Sequence, residues 1–261
     1  MSGVDAVARF AELVGQPDPP LDRAALALAA GADPKLDPEP WLSHLDGLAA
    51  GVGSLPELVH RLFVREGFAG NARDYQDPRN SLLHHVLNRR LGIPITLAVV
   101  TIEVGRRAGV PLEGVGMPGH FLVRTPGTDR YLDVFAGGVT LSPAECEARF
   151  RAVSGAGPQV PFGPQLLPTA STTAILVRML ENLRMIFRSR RRPADLEWVL
   201  RMRLALPGTG EDDLLELAQA MGAQANWSAA AGLLEQQLPG SDAVRAGRLK
   251  AAARGLRAHL N

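Results

Sequence analysis

Residues 92–124 read GIPITLAVVTIEVGRRAGVPLEGVGMPGHFLVR, and their reading decides the fold. From Pro94 to about Arg107 the run is apolar and of helical length. It opens with a proline in the first turn, where a missing N–H costs nothing, and stops at Gly109. Beyond that glycine the period changes. LEGVGMP (112–118), HFLVRTP (120–126) and RYLDVF (130–135) are short and rich in Val, Leu, Phe and Tyr, TPGTDR is a turn sequence, and GGVTL (137–141) adds a fourth candidate strand. A helix feeding antiparallel hairpins predicts an α+β core. Gly116 and Gly119 do not open a helix, as a dinucleotide fingerprint must. They read as a turn that lets the backbone approach the preceding helix closely.

Outward from this stretch the chain is mostly helical. Residues 1–69 predict an N-terminal helical segment, in which Val4, Val7, Ala8, Ala11 and Val14 form one stripe. Asp37 and Ser54 stand as caps before later helices. The polar AGNARDYQDPRN (69–80) precedes a short helix closed by Gly92. After the strands, Ser142 and Glu145 form a capping box for another helix. The core is therefore expected over 70–153. Residues 154–172, rich in Gly, Pro, Ser and Thr, read as a linker, and 173–261 as a helical array. Two of its helices end in LALP and QQLP, 32 residues apart, close to the tetratricopeptide period.

Composition excludes several classes. With 261 residues, 46% hydrophobic and 21% charged, the chain is ordinary globular material with a real core. A formal net charge of +1 argues against a broad nucleic-acid footprint, and RSRRRP (188–193) reads as a solvated helix end. One cysteine, Cys146, permits no intrachain disulfide and no cysteine zinc cluster. The acidic residues Asp5 and Glu12 make the N-terminus unlike a signal peptide, and no run approaches a membrane span. A cytoplasmic protein without a membrane or nucleic-acid partner is expected. Its oligomeric state is left open.

The chemistry centres on His120 and Asp133. Neighbouring antiparallel strands can bring a histidine and an aspartate together on one face, where the carboxylate fixes the imidazole tautomer. That is the supporting half of a hydrolase, or a structural bond at a sheet edge. His84 and His85 lack a partner at metal-ligand spacing, so no metal and no cofactor is expected. Asn80 reads as a helix N-cap, or as an amide donor facing a cleft, with Ser81 beside it. Asp77 and Arg79 read as a local ion pair of little weight.

The combined pattern RDYQDPRNSLLHHVLNRRLGIPITL, GVGMPGHFLVR and YLDVF resembles the transglutaminase-like fold of papain-type enzymes. More narrowly, it is similar to the bacterial SirB-type transglutaminase-like family. The resemblance implies N-terminal helices, a transglutaminase-like core and a tetratricopeptide-like C-terminal array. It also implies a cysteine at the tip of the central helix, where the helix terminus and a nearby imidazolium would stabilise a thiolate. That tip holds Ile93, Pro94, Ile95 and Thr96 instead, and Cys146 lies on a different helix. Thr96 is the nearest hydroxyl, which gives a candidate remnant triad of Thr96, His120 and Asp133. Pro94 joins Asn80 and Ser81 as a candidate binding residue. Losing a triad nucleophile costs on the order of 10⁶ in kcat, roughly 8 kcal/mol, which a threonine would not be expected to restore. The expectation is therefore a non-catalytic or regulatory domain that binds a peptide or protein partner. The alternatives are an acyl-transfer or amide-hydrolysing enzyme using Thr96, and a tetratricopeptide-type scaffold.

Overall fold

The structure is a computed structural model that describes residues 3–208 and 210–260, the first three by backbone alone. Helices α1 (Gly3–Val14), α2 (Leu21–Ala29), α3 (Glu39–Ala49) and α4 (Leu55–Val59) open the chain, the last running into a π-helical turn at His60–Arg65. Ser54 caps α4 through the Glu57 amide, whereas the N-cap of α3 is Pro38 and Asp37, one residue earlier, accepts the Glu39 N–H. The buried stripe of α1 differs from the expected one. Ala6, Phe10 and Val14 are buried and Ala8 is exposed, while the side chain of Val4 lies outside the described residues. The physical reason is Phe10, the largest apolar side chain of the helix, whose burial outweighs that of several alanines.

Two short parallel strands, β1 (Ala69–Gly70) and β2 (Leu91–Gly92), flank α5 (Leu83–Arg89) and lead into the central helix α6 (Pro94–Arg107). This helix is buried from Pro94 through Thr101 and again at Glu103–Gly105, which explains its nearly all-round apolar sequence. It packs on α2, α3 and α5 on one side and on the sheet on the other.

The sheet runs β6–β5–β4–β3–β7, with β3 (Glu113–Met117), β4 (His120–Arg124), β5 (Tyr131–Asp133), β6 (Val139–Leu141) and β7 (Thr169–Ala170), all neighbours antiparallel. Strand alternation divides it into two faces. Phe121, Val123, Leu132 and Val134 join the main core with α6. Val115, Met117, Leu122, Tyr131 and Leu141 form a second core with Cys146 and Phe150 of α7 (Pro143–Ser154) and with Leu167. Pro118–Gly119 closes the β3–β4 hairpin, and Gly119 at φ 74° supplies the positive angle that position i+2 of a type II turn requires. A side chain there would meet Val153 of α7 rather than the central helix, so the close approach read from the sequence is to a different element.

Residues 154–172 are not a free linker. Leu167 is buried in the second core, Phe162 packs against it, and Thr169–Ala170 pair with β3. Their glycines and prolines shape an ordered crossing of the sheet. The chain then continues through α8 (Thr172–Ser189), α9 (Pro193–Leu204), α10 (Glu211–Gly222), α11 (Trp227–Glu235) and α12 (Ala243–Arg257). Each of these helices packs chiefly on its neighbours in sequence. Trp198 of α9 lies so close to Gly31 that a Cβ there would be 2.4 Å from its ring. The array is thus docked on the N-terminal helices, and one apolar cluster extends from Ala6 to Ala253.

Candidate functional site

The pairing Val123↔Leu132 sets Asp133 across from Leu122, so His120 is its diagonal neighbour on the same face of the sheet. The two side chains meet: His120 Nε2 is 3.0 Å from Asp133 Oδ1. Asp133 is 0% and His120 5% exposed. Oδ1 also accepts the backbone N–H groups of Phe135 and Ala136, which ends β5 in a turn. Arg149 Nε of α7 lies 3.1 Å from Oδ2, at ion-pair distance but without hydrogen-bond alignment. Burial alone would push the Asp133 carboxyl up. His120, the Ala136 amide and Arg149 outweigh it, and the group is held below the ordinary carboxylate range. An ionised carboxylate only accepts, so Nε2 carries the proton of this bond, and Nδ1 is the nitrogen left to act as acceptor in the neutral ring.

The groups named from the sequence at the facing helix tip are turned to other tasks. Thr96 is 0% exposed. Its Oγ1 donates to the Asn80 carbonyl at 2.6 Å and accepts from the Ile93 N–H at 3.2 Å, so it ties the start of α6 to the preceding loop. A hydroxyl has one proton, and that proton is committed to Asn80. The ring bond of His120 goes to Asp133. The structure therefore does not join Thr96 to the pair as a nucleophile.

Asn80 corrects a second expectation. The short 3₁₀ turn Pro78–Ser81 is capped by Asp77, whose carboxylate accepts the Arg79 N–H, and α5 begins after Leu82 with no side-chain cap. Asn80, itself 0% exposed, instead clamps the loop before it. Its Nδ2 donates to the carbonyls of Asp74 (2.7 Å) and Tyr75 (3.2 Å), and its Oδ1 accepts from Asn71 and Arg89. Ser81 is also 0% exposed, with its hydroxyl unpaired, and Pro94 is buried as the first residue of α6. All three candidate binding residues are buried. Asp77 is likewise more than a surface partner, since it is buried and paired with both Arg79 and Arg89.

Cys146 sits in the second core with Leu122, Tyr131 and Phe150. Burial first, then the charges of Asp133 and Glu145, push its thiol up to about 11, the opposite of what a nucleophile needs. His84 is buried against Trp41 and His85, and its pKa falls to about 4 through burial and the neighbouring histidine. Among the described residues no group of three His, Cys, Asp or Glu side chains is placed to hold a metal. Among them too, no helix is long and apolar enough to cross a membrane.

Sequence reasoning missed the residues around the imidazole. Phe135 meets His120 edge-on at 6.2 Å between ring centroids and Tyr75 at 5.9 Å. It also covers Gly70, where a Cβ would stand 2.5 Å from the ring. Phe135 thus touches both the imidazole and the strand pair that leads into α6. Arg178 of α8 donates from both terminal nitrogens to the Met117 carbonyl at 3.3 Å and lies 5.4 Å over the Phe121 ring. Met117 is the cross-strand partner of His120. Glycine at position 70 and aromatics on either side of it were the available signal for Phe135. Arg178 stands among apolar residues of an amphipathic helix and gives no signal by spacing.

A buried histidine hydrogen-bonded to an aspartate on an antiparallel sheet packed against a central helix is the architecture of a transglutaminase-like domain. The comparison of sequences agrees: residues 24–181 match the Transglutaminase-like superfamily, and the chain belongs to it. That span takes in α3 to α7, most of α2 and the first half of α8, the elements that enclose the central helix and the sheet. A UPF0162 protein of Xylella fastidiosa is 48% identical over 129 residues, 48% of this chain and 46% of that protein. A UPF0162 protein of Pseudomonas aeruginosa is 35% identical over 185 residues, 67% of each chain, which ties this chain to the UPF0162 family. Human F-box only protein 21 is 40% identical over 103 residues, 36% of this chain and 16% of that protein. The chain spans just under half the length of the Xylella relative that it matches.

Proposed function

We propose that this chain is a non-catalytic, cytoplasmic transglutaminase-like protein of the SirB type. In this reading the site around His120 binds a peptide or protein partner and performs no acyl transfer. The observation that carries it is the Thr96 hydroxyl, sealed from solvent and donated to the Asn80 carbonyl at 2.6 Å. A nucleophile must present its oxygen to the base and to the substrate, and this one is turned inward to hold the helix tip. The raised pKa of Cys146 and its place in the second core support the same conclusion. Beside the imidazole stand the exposed Tyr75 and the half-buried Phe135 and Arg178, aromatic and cationic side chains suited to holding a segment of polypeptide. The serial packing of α8 to α12 supports a tetratricopeptide-like stack, which in this reading braces the site.

Two measurements test the reading. The intact protein is treated with p-nitrophenyl acetate and with a glutamine-containing peptide plus an amine. Neither hydrolysis nor amine incorporation should depend on Thr96, and mass spectrometry should find no acyl group there. An acyl adduct on Thr96, or turnover abolished in Thr96→Val, would establish the enzyme instead. Selection of a displayed random-peptide library on the immobilised intact chain should enrich sequences whose binding shifts the His120 ring resonances. Failure to enrich any such sequence would remove the partner-binding half.

A further inference from the structure

The half-buried guanidinium of Arg178 is an unusual expense in this fold. Its neighbour on the same helix, Arg184, is paired with Glu181 and Glu216, and Arg203 of α9 with Asp213 and Glu181. Among the described residues Arg178 has no carboxylate at ion-pair distance. Its partners are one carbonyl, that of Met117, and the face of Phe121. Of the five N–H donors of a guanidinium, two point to that carbonyl, and three lack a protein acceptor among the described residues. Burial pulls its pKa down, and the one group opposing this is the Tyr75 phenol, whose own pKa burial raises and Arg178 lowers. Tyr75 is 45% exposed and leans on Phe135, which in turn meets His120. His120 faces Met117 across the hairpin. Arg178, Tyr75, Phe135 and His120 thus form the rim of one site, drawn from α8, the loop before α5, the turn after β5 and the start of β4.

We infer that Arg178 is the anion-recognition residue of this site and receives a carboxylate of the bound polypeptide, with the Tyr75 hydroxyl as a second donor. The inference rests on the partner-binding reading above and narrows it to a ligand chemistry. A guanidinium fork fixed by a carbonyl on one edge and an aromatic face beneath it is held in one plane, which suits a planar carboxylate more than a diffuse charge. The apolar rings of Phe121 and Phe135 lower the local dielectric and strengthen such a contact. A carboxylate can come from a chain terminus or from an acidic side chain, and the two are separable by experiment.

The intact protein is titrated with three probes: N-acetyl-glycylglycine, its C-terminal amide, and N-acetyl-glutamyl-glycinamide. The Arg178 Nε–H and His120 ring resonances are followed by NMR. At least one carboxylate probe should move both sets of signals saturably, and the fully blocked amide should not. Response to the first probe identifies a chain terminus, and response to the third an acidic side chain. Arg178→Gln should weaken binding by roughly tenfold or more, the loss expected for one charge-assisted pair, while Arg178→Lys retains part of it. If Arg178→Gln proves unfolded, Tyr75→Phe, which keeps the ring on Phe135, should still weaken binding severalfold. Equal shifts from the carboxylates and the amide, no saturable shift from any probe, or unchanged affinity in Arg178→Gln or, where that variant is unfolded, in Tyr75→Phe would overturn the inference. Enriched display peptides that are uncharged and indifferent to Arg178→Gln would sink the carboxylate site and leave partner binding standing. An empty display selection would sink partner binding itself.

Discussion

Replacing Thr96 by valine isolates the role of its hydroxyl. The two side chains have nearly the same shape and both are β-branched, so the substitution opens no cavity. It removes one oxygen that serves two buried backbone groups, the Asn80 carbonyl at 2.6 Å and the Ile93 N–H at 3.2 Å. Among the described residues neither has another protein partner on the same atom. Each buried group left unsatisfied costs about 1–3 kcal/mol. Relaxation of the loop returns part of that, so a net loss of about 2–4 kcal/mol is expected. For a chain of this size that is a fall in melting temperature of roughly 2–4 °C per kcal/mol. Urea denaturation of the wild type, Thr96→Val and Thr96→Ser measures it directly. Serine keeps the oxygen and should lose much less than valine. A valine variant within about 0.5 kcal/mol of wild type, the ordinary range for a site without such a feature, would show that the hydroxyl is not committed to the backbone. Thr96 would then be free to serve as a nucleophile.

Three other outcomes follow from the same structure. The Asp133 carboxyl is held below its ordinary value of 3.8 in the folded protein, so its contribution to stability is complete above that value and is lost as pH falls through the folded pKa; Asp133→Asn should flatten this acid limb in denaturation curves taken at successive pH values. Arg107 bonds Asp22, Asp46 and Glu103 at once, with Asp22 and Glu103 both buried. Arg107→Met should cost about 3 kcal/mol by leaving two buried carboxylates with Arg106 alone, and adding Glu103→Gln should recover part of it, because burial and Asp22 already raise the pKa of Glu103. With its pKa near 11, Cys146 is thiolate to about one part in a thousand at pH 8, so iodoacetamide should label it only when the chain is unfolded, and rapid labelling of the native protein would contradict its burial.

The hairpins and the central helix were legible because each carries its own period. HFLVR alternates between two packed faces, and the run from Pro94 is apolar nearly all round because α6 is covered nearly all round. The His–Asp contact was legible because neighbouring antiparallel strands can bring such a pair to one face, and the register Val123↔Leu132 does so by setting Asp133 diagonal to His120. Asn80 was misread because the chemistry that makes asparagine a good cap, a short side chain with both donor and acceptor, equally suits a loop clamp. Only the fold says which backbone groups lie within its reach. The stretch 154–172 was misread because glycine and proline report a chain that turns, without reporting what it turns across. Arg178 left no trace in the sequence, since whether an arginine on a helix finds a carboxylate depends on elements far from it in the chain.

The central helix is fastened at both ends by side-chain bonds. At its C-terminal end Arg106 and Arg107, well placed for the helix dipole, reach Asp22 of α2, and Arg107 reaches Asp46 of α3. At its N-terminal end the Thr96 hydroxyl holds Asn80, and Asn80 in turn holds the carbonyls of Asp74 and Tyr75. The helix tip therefore acts on the site through the loop it organises. It fixes where Tyr75 stands, and with it the ring of Phe135 that borders His120. On the opposite side Arg178 fixes the carbonyl of Met117, the direct cross-strand partner of His120 beside the hairpin turn. Bonds spent on rigidity at this density make sense where a pre-formed surface lowers the entropy cost of holding a ligand. A Thr96 hydroxyl that was released, deprotonated and acylated would break, at every cycle, the contact that ties the helix tip to the loop carrying Tyr75.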